Sequence, residues 1–377
     1  MEIISTLLSA FVAMGAALTM FVGNVVDTYI PSDTVVSVAP VTGAVSPPPP
    51  RFQVVPNDIP IEQEEYIPVS APVSANAPKP LAASTTPAQP PAAELSADVL
   101  NDKTRAALVN ILCLTKTNKV HPISGSGVFV DSRGIVLTNA HVGQMFLLSD
   151  YPTRGDVDCT LRTGSPAAAA YKARLLYLPP AWIEDHAPQI TLTDARGTGE
   201  NDYAFLIVTD TVSAKDSLPA SFPALSMTID APKVGQNMFL AAYPAGFLDG
   251  TSIRQNLYPS SAFAAVKELF TFTKRTVDLV SIGGTVVSQG GSSGGAAVRT
   301  QDGRLQGIIT TSTTAGTTEG RDLRAVTLAH INRSLLSYDK GGIEGLLSKD
   351  VVQEAKDFES SAAAQERAAL IKALKAQ

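Results

Sequence analysis

The chain is short of charge, cysteine, histidine and methionine. Only 17% of its 377 residues are charged, and 29 Lys and Arg stand against 35 Asp and Glu, for a formal charge of -6. No stretch gathers the Lys and Arg that a phosphate-lined groove needs, which excludes nucleic acid as the main partner. Two cysteines and four histidines, scattered along the chain, are too few for a Cys/His zinc cluster, so no metal or other cofactor is expected. No repeat period points to a propeller or a solenoid. Against these shortages, 45% of the residues are hydrophobic, enough to bury a core and to exclude a chain disordered throughout. At roughly 150 residues per domain, the length allows one large or two modest domains with appendages.

The appendages are visible in composition. Residues Ile3 to Val26 carry no charged side chain. As a helix that run is about 36 Å long, more than the roughly 30 Å of a bilayer's hydrocarbon core. A cleaved signal peptide has a basic start and a shorter apolar run, whereas only Glu2 precedes this one, so residues 1–30 read as an uncleaved transmembrane anchor. No Lys or Arg lies close to either end, which leaves its orientation unsignalled. Residues 31–96 hold fifteen of the 26 prolines, including Pro47 to Pro50, mixed with Ala, Val, Ser and Thr. Such a segment cannot bury enough apolar surface to fold and reads as an extended, disordered tether.

From Ala97 a short amphipathic helix (ADVLNDKTRAAL) leads into the strand-like LVNILCLTK. The rest of residues 97–340 alternates short apolar runs with turns: GVFV–DSRG–IVLTNA, NDYAFLIV, NMFLAAY, GTVV and AAVR–TQDG–RLQGIITTS. Runs of four to eight residues rich in Val, Ile, Thr and aromatics, bounded by Gly, Asp and Ser, predict an antiparallel all-β sandwich or barrel. The stretch from Pro152 to Gly199, Ala/Pro-rich and holding Trp182 and His186, has no assignable pattern. Residues 341–377 turn helical again: Ser348 can cap a run with Asp350 and Glu354 early and Lys372 and Lys375 late, as a helix dipole favours. Val351, Ala355, Phe358 and Ala362 share one face of it, which suits packing on the domain or on a partner.

Three segments carry chemistry. Thr138-Asn139-Ala140-His141-Val142 follows a hairpin turned at Asp131-Ser132-Arg133-Gly134, Asp202 opens the apolar strand NDYAFLIV, and Gly291-Ser292-Ser293-Gly294-Gly295 lies between two β-like runs. In order they supply an imidazole, a carboxylate and a hydroxyl. A serine hydroxyl is a poor nucleophile at neutral pH, so an imidazole must take its proton as it attacks a carbonyl. A carboxylate on the other ring nitrogen fixes the tautomer and supports the charge that follows. The carbonyl oxygen becomes an anion and needs donors already aimed at it, and glycines around the serine let the amides of Gly291 and Ser293 converge. Each segment alone is weak: an Asp before a strand often caps a turn, and a Gly-rich pentapeptide is often a plain loop.

As a set, SGSGVFVDSRGIVLTNAHV, NDYAFLIV and QGGSSGG with AAVRTQDGRLQGIITTS resemble the trypsin-like (chymotrypsin-fold) serine proteases, in the style of the bacterial Deg-type enzymes, over roughly residues 108–335. The resemblance implies two antiparallel β-barrels with the site in the cleft between them. It implies His141 as general base, Asp202 as its orienter and Ser293 as nucleophile, with the Gly291 and Ser293 amides as oxyanion hole. Polypeptides are then the substrates. Departures are plain: Ser292 stands where digestive-type members carry an aspartate that pairs with a newly cut N-terminus, and a helical tail stands where Deg-type chains continue into a PDZ module. The family often has a disulfide spanning the histidine at positions that Cys113 and Cys159 do not reproduce. These two either bond within the first barrel, as an even count in an exported domain allows, or remain buried thiols.

Two other readings compete. Gly291-Ser292-Ser293-Gly294-Gly295 also fits the nucleophile elbow of an α/β-hydrolase esterase, with Asp322 and His330 following, but that fold needs parallel strands and long helices. A catalytically inactive, peptide-binding relative of the proteases is the non-enzyme reading. His121, His186 and His330 read as surface or structural. The resemblance to the proteases implies a specificity pocket floored near Val287 and walled by the strand near Thr310 to Ser312; no acid stands at that floor position, which predicts small or medium apolar residues before the scissile bond. Anchor, tether and acidic domain together suggest a single-pass protein of the bacterial cytoplasmic membrane, its protease domain outside the cytoplasm. The sequence leaves the oligomeric state open.

Overall fold

The computed structural model describes residues 95–376 except 118, 193–197, 273–275 and 313–319. The expected anchor over 1–30 and all but the last two residues of the tether over 31–96 lie outside the described residues. Among the described residues no helix is long and apolar enough to cross a membrane.

The first described element is helix α1 (Ala97–Ala107), capped by Ser96, whose hydroxyl accepts from the Val99 amide. It buries Leu100, Thr104 and Ala107, spaced as one helical face, and runs directly into strand β1. The expected helix and strand both form. Six antiparallel strands then close a barrel in the order β1-β2-β3-β6-β5-β4. They are β1 (Leu108–Thr115), β2 (Ile123–Asp131), β3 (Ile135–Thr138), β4 (Val157–Thr163), β5 (Ala168–Tyr177) and β6 (Ala204–Thr211). The DSRG turn joins β2 to β3, with the Gly134 amide donating to the Asp131 carbonyl at 3.0 Å and Gly134 at φ 87°. That dihedral favours glycine over any side chain.

Strands β4 and β5 come from the stretch that the sequence pattern left unassigned. Strand β5, AAAYKARLLY, buries only its last three residues, so its first half has no alternating apolar signal to read. Pairing of β4 with β1 closes the barrel and sets Cys113 opposite Cys159. The two are joined in a disulfide, their Cα atoms 3.9 Å apart.

A second antiparallel sheet has seven strands, ordered β8-β7-β11-β12-β13-β10-β9. They are β7 (Asn237–Ala242), β8 (Ser260–Ala265), β9 (Glu268–Phe270), β10 (Leu279–Gly283), β11 (Ala296–Arg299), β12 (Leu305–Ser312) and β13 (Leu323–Thr327). Of the two expected antiparallel barrels the first is closed, and the second is a half-barrel among the described residues, with β8 and β9 at its edges. Strand β9 is three residues long and pairs only with β10, so it offers β8 no ladder. The run GTVV is not a strand either. Thr285 and Ser288 bond to each other through amide, carbonyl and hydroxyl, making a turn.

The tail is three helices rather than one. After α4 (Leu328–Ser337) come α5 (Gly342–Ser348), α6 (Val351–Ser360) and α7 (Ala362–Lys375). These numbers follow α2 (Ala140–Gly143) and α3 (Pro180–His186) in the first half; a one-turn helix, Gly250–Gln255, follows β7. Ser348 ends α5, and the cap of α6 is Asp350, whose carboxylate accepts from the amides of Val352 and Gln353. Val351, Ala355 and Phe358 are buried as their shared face requires. The tail packs on the first barrel: Arg174 of β5 pairs with Glu359 at 3.2 Å, and Arg367 donates to the Leu147 carbonyl at 2.8 Å.

Candidate active site

Strand register brings the first two groups together. Thr138, the last residue of β3, pairs with Ala204, the first of β6. His141 lies three residues past the end of one strand and Asp202 two residues before the start of the next, so an antiparallel pair delivers both to one end of the barrel. Asn139 caps α2 and donates its side-chain amide to the Asp202 carbonyl at 2.8 Å. Asn201, at φ 60°, turns the chain so that the carboxylate faces inward, and Tyr203 anchors the far side by donating to Ser334 of α4 at 2.8 Å.

His141 Nδ1 lies 3.1 and 3.0 Å from the two carboxylate oxygens of Asp202, and the His141 amide donates to Oδ1 at 3.0 Å. The Asp202 side chain is 3% exposed and the ring 34%, so the carboxylate is hidden while the imidazole stays reachable. Burial favours the neutral acid at Asp202, but the charge and hydrogen bonds of His141 and the hydroxyl of Thr310 outweigh it, holding the carboxyl below its ordinary range. Burial likewise opposes a charged His141. The facing carboxylate outweighs that too, and the imidazole pKa is raised.

The third group arrives from the second sheet. Residues 291–295 approach so closely that side chains cannot fit: a Cβ on Gly294 would overlap the Ser126 carbonyl and the Thr138 hydroxyl, and one on Gly295 would lie 2.7 Å from the Ala241 carbonyl. Gly291 and Gly294 adopt φ of 90° and 86°. The amides of Ser292, Gly294 and Gly295 are bonded to the carbonyls of Gln289, Ile309 and Ser292. Among the described residues, those of Gly291 and Ser293 have no partner. The Ser293 hydroxyl donates to the Thr310 carbonyl at 3.2 Å, rather than to His141. Thr310 of β12 links Ser293 to Asp202, because its own hydroxyl donates to Asp202 Oδ2 at 2.5 Å.

Other expected residues are settled by their neighbours. Ser292 is fully buried and its hydroxyl is unpartnered among the described residues. Val287 packs inside the second sheet's apolar cluster, and Arg321 donates to the carbonyl of adjoining Ser288 at 2.8 Å. The esterase arrangement does not assemble: Asp322 bonds Ser281 and Arg324, His330 bonds Asp278 at 3.3 Å, and the sheets are antiparallel. Trp182, on α3, was visible in sequence only as a lone tryptophan. Its Nε1 donates to Gln144 at 3.4 Å, Gln144 donates to the His141 carbonyl at 3.2 Å, and His186 stacks on the indole at 3.8 Å. Among the described residues no three His, Cys, Asp or Glu side chains converge as metal ligands.

Residues 125–308 match the family model of the trypsin-like peptidase domain. No curated protein matches the sequence. Among solved structures, the chain is similar to the active form of the Rv3671c protease from M. tuberculosis, at 18% identity and a TM-score of 0.40, over 71% of this chain and 93% of that one.

Proposed function

We propose, from the premise that this chain is a serine endopeptidase carrying a trypsin-like peptidase domain over residues 125–308, that Ser293, His141 and Asp202 perform the hydrolysis. Rotation of the Ser293 hydroxyl away from Thr310 turns it toward the imidazole. Its oxygen attacks the scissile carbonyl carbon as His141 Nε2 takes the proton, and Asp202 supports the imidazolium. The carbonyl oxygen, now an anion, meets the two unpartnered amides of Gly291 and Ser293. Collapse returns the proton to the leaving amine and leaves an acyl group on Ser293. A water, deprotonated by the same imidazole, then releases the acid and restores the hydroxyl.

The single observation that carries this reading is that Thr310 binds the Asp202 carboxylate and the Ser293 hydroxyl at once. Labelled casein and a fluorophosphonate probe test it. The full chain is expected to cleave the one and react with the other, and Ser293→Ala to do neither. A reactive Ser293→Ala protein would refute the assignment. With no Asp or Glu from Gly283 to Ser292 in the sequence, and with a guanidinium at Ser288, cleavage after Lys or Arg is disfavoured. A peptide library should return small or medium apolar residues before the cut, and a strict basic preference would refute that.

For location, the uncharged run Ile3 to Val26 and the proline-rich residues after it support a membrane anchor and a spacer that carry the protease outside the cytoplasm. Protease added to intact spheroplasts should degrade the domain. Complete protection would make the orientation wrong.

A further inference from the structure

Ser126 lies in β2, on the first barrel, yet most of its bonds reach the nucleophile loop and the second sheet. It is fully buried. Its amide donates to the Ser293 carbonyl at 2.7 Å. Its hydroxyl donates to the Gly291 carbonyl at 2.8 Å and accepts from the Tyr243 amide, just past β7, at 2.9 Å. Its own carbonyl accepts the Thr138 hydroxyl at 2.7 Å, three residues before His141. One residue thus binds the carbonyls of both residues whose amides are unpartnered.

The flanking glycines permit this approach. A Cβ on Gly125 would lie 2.8 Å from Val142, and one on Gly127 2.7 Å from Val136. The need for an anchor follows from Gly291 itself, because glycine at φ 90° can swing its peptide planes at little cost. The Gly291 N–H lies in the plane of the Gly290 carbonyl, which accepts the Ala245 amide at 2.7 Å, and the Gly291 carbonyl bound by Ser126 fixes the next plane, on the other side of the Gly291 Cα. Fixing the carbonyls of Gly291 and Ser293 restrains the turn that aims both amides. A serine suits the position because one hydroxyl both donates and accepts, and here it does each once.

We infer that Ser126 is a positioning residue for the oxyanion hole, its hydroxyl holding the Gly291–Ser292 peptide, which links the two donor residues, so that the amides of Gly291 and Ser293 stay convergent. This rests on the role proposed above for Ser293. Ser126 touches neither substrate nor reacting atoms, so its loss weakens the transition state more than the ground state.

The test uses the full chain, labelled casein for kcat and KM, and a peptide boronate whose tetrahedral adduct places an oxyanion in the hole. For Ser126→Ala, kcat should fall on the order of 10-fold to 100-fold, approaching the loss of a whole donor, while KM stays within about 2-fold. Boronate affinity should fall by a similar factor. Ser126→Cys, close in volume and a weaker donor, should lie between, and it carries the test if Ser126→Ala does not fold. Unchanged kcat, or kcat and KM worsening together with boronate affinity intact, would overturn the inference while leaving the nucleophile assignment standing. Cleavage by Ser293→Ala would instead remove the assignment itself.

Discussion

Thr310 holds Asp202 in place through a hydroxyl donated to Oδ2 at 2.5 Å. Removing that donor leaves a buried carboxylate oxygen with one bond fewer, which costs about 1–3 kcal/mol where no water replaces it. Thr310→Val should therefore lower the unfolding free energy by about that amount and reduce kcat, and Thr310→Ser should restore both. Denaturant titration beside casein kinetics checks the pair.

The pH dependence of activity follows from the sign of the His141 shift. The base must be neutral to accept a proton, and its pKa is raised from 6.5 by the Asp202 carboxylate. The acid limb of kcat/KM should therefore lie above that ordinary value. Asp202→Asn removes the charge and presents the wrong hydrogen-bond partner to Nδ1. The limb should move down, and the plateau should fall by about 10⁴-fold.

The disulfide closes a loop with a sequence separation of 46 residues, and it sits on the β1–β4 pairing that closes the barrel. On chain entropy such a link contributes about 4 kcal/mol. Urea unfolding with and without reductant should differ by up to that amount, and the difference should vanish in Cys113→Ser/Cys159→Ser.

Glu366 on α7 is buried, and neither carboxylate oxygen has a partner among the described residues. Burial pushes its pKa up from 4.5 to about 8. Between those values the unfolded chain gives up a proton that the folded chain keeps, so stability falls as pH rises through this window. Melting curves from pH 5 to 8 should show that decline, and Glu366→Gln should flatten it.

Much of the proposed site was legible along the chain because its parts are local. His141 follows a hairpin with its own turn signal, Asp202 opens an apolar strand, and Ser293 sits among glycines. Ser126 was not legible as part of the site, nor Thr310 as the partner of Asp202 and Ser293, since a serine between glycines and a threonine in an apolar strand look ordinary. Their importance lies in contacts 108 and 165 residues away in sequence. Strand β5 was missed because half of it faces solvent, and the tail was read as one helix because its apolar face continues across the breaks at 349–350 and 361.

Sequence alone determined the all-β character and singled out the three side chains proposed to react, in their order, because residue type and short-range pattern carry that chemistry. Only the tertiary structure decided that one barrel closes and the other sheet keeps two edges, that Cys113 meets Cys159, and which buried hydroxyls hold the site. Those outcomes depend on strand register and on pairings between distant segments, and a linear pattern cannot rank distant pairings against one another.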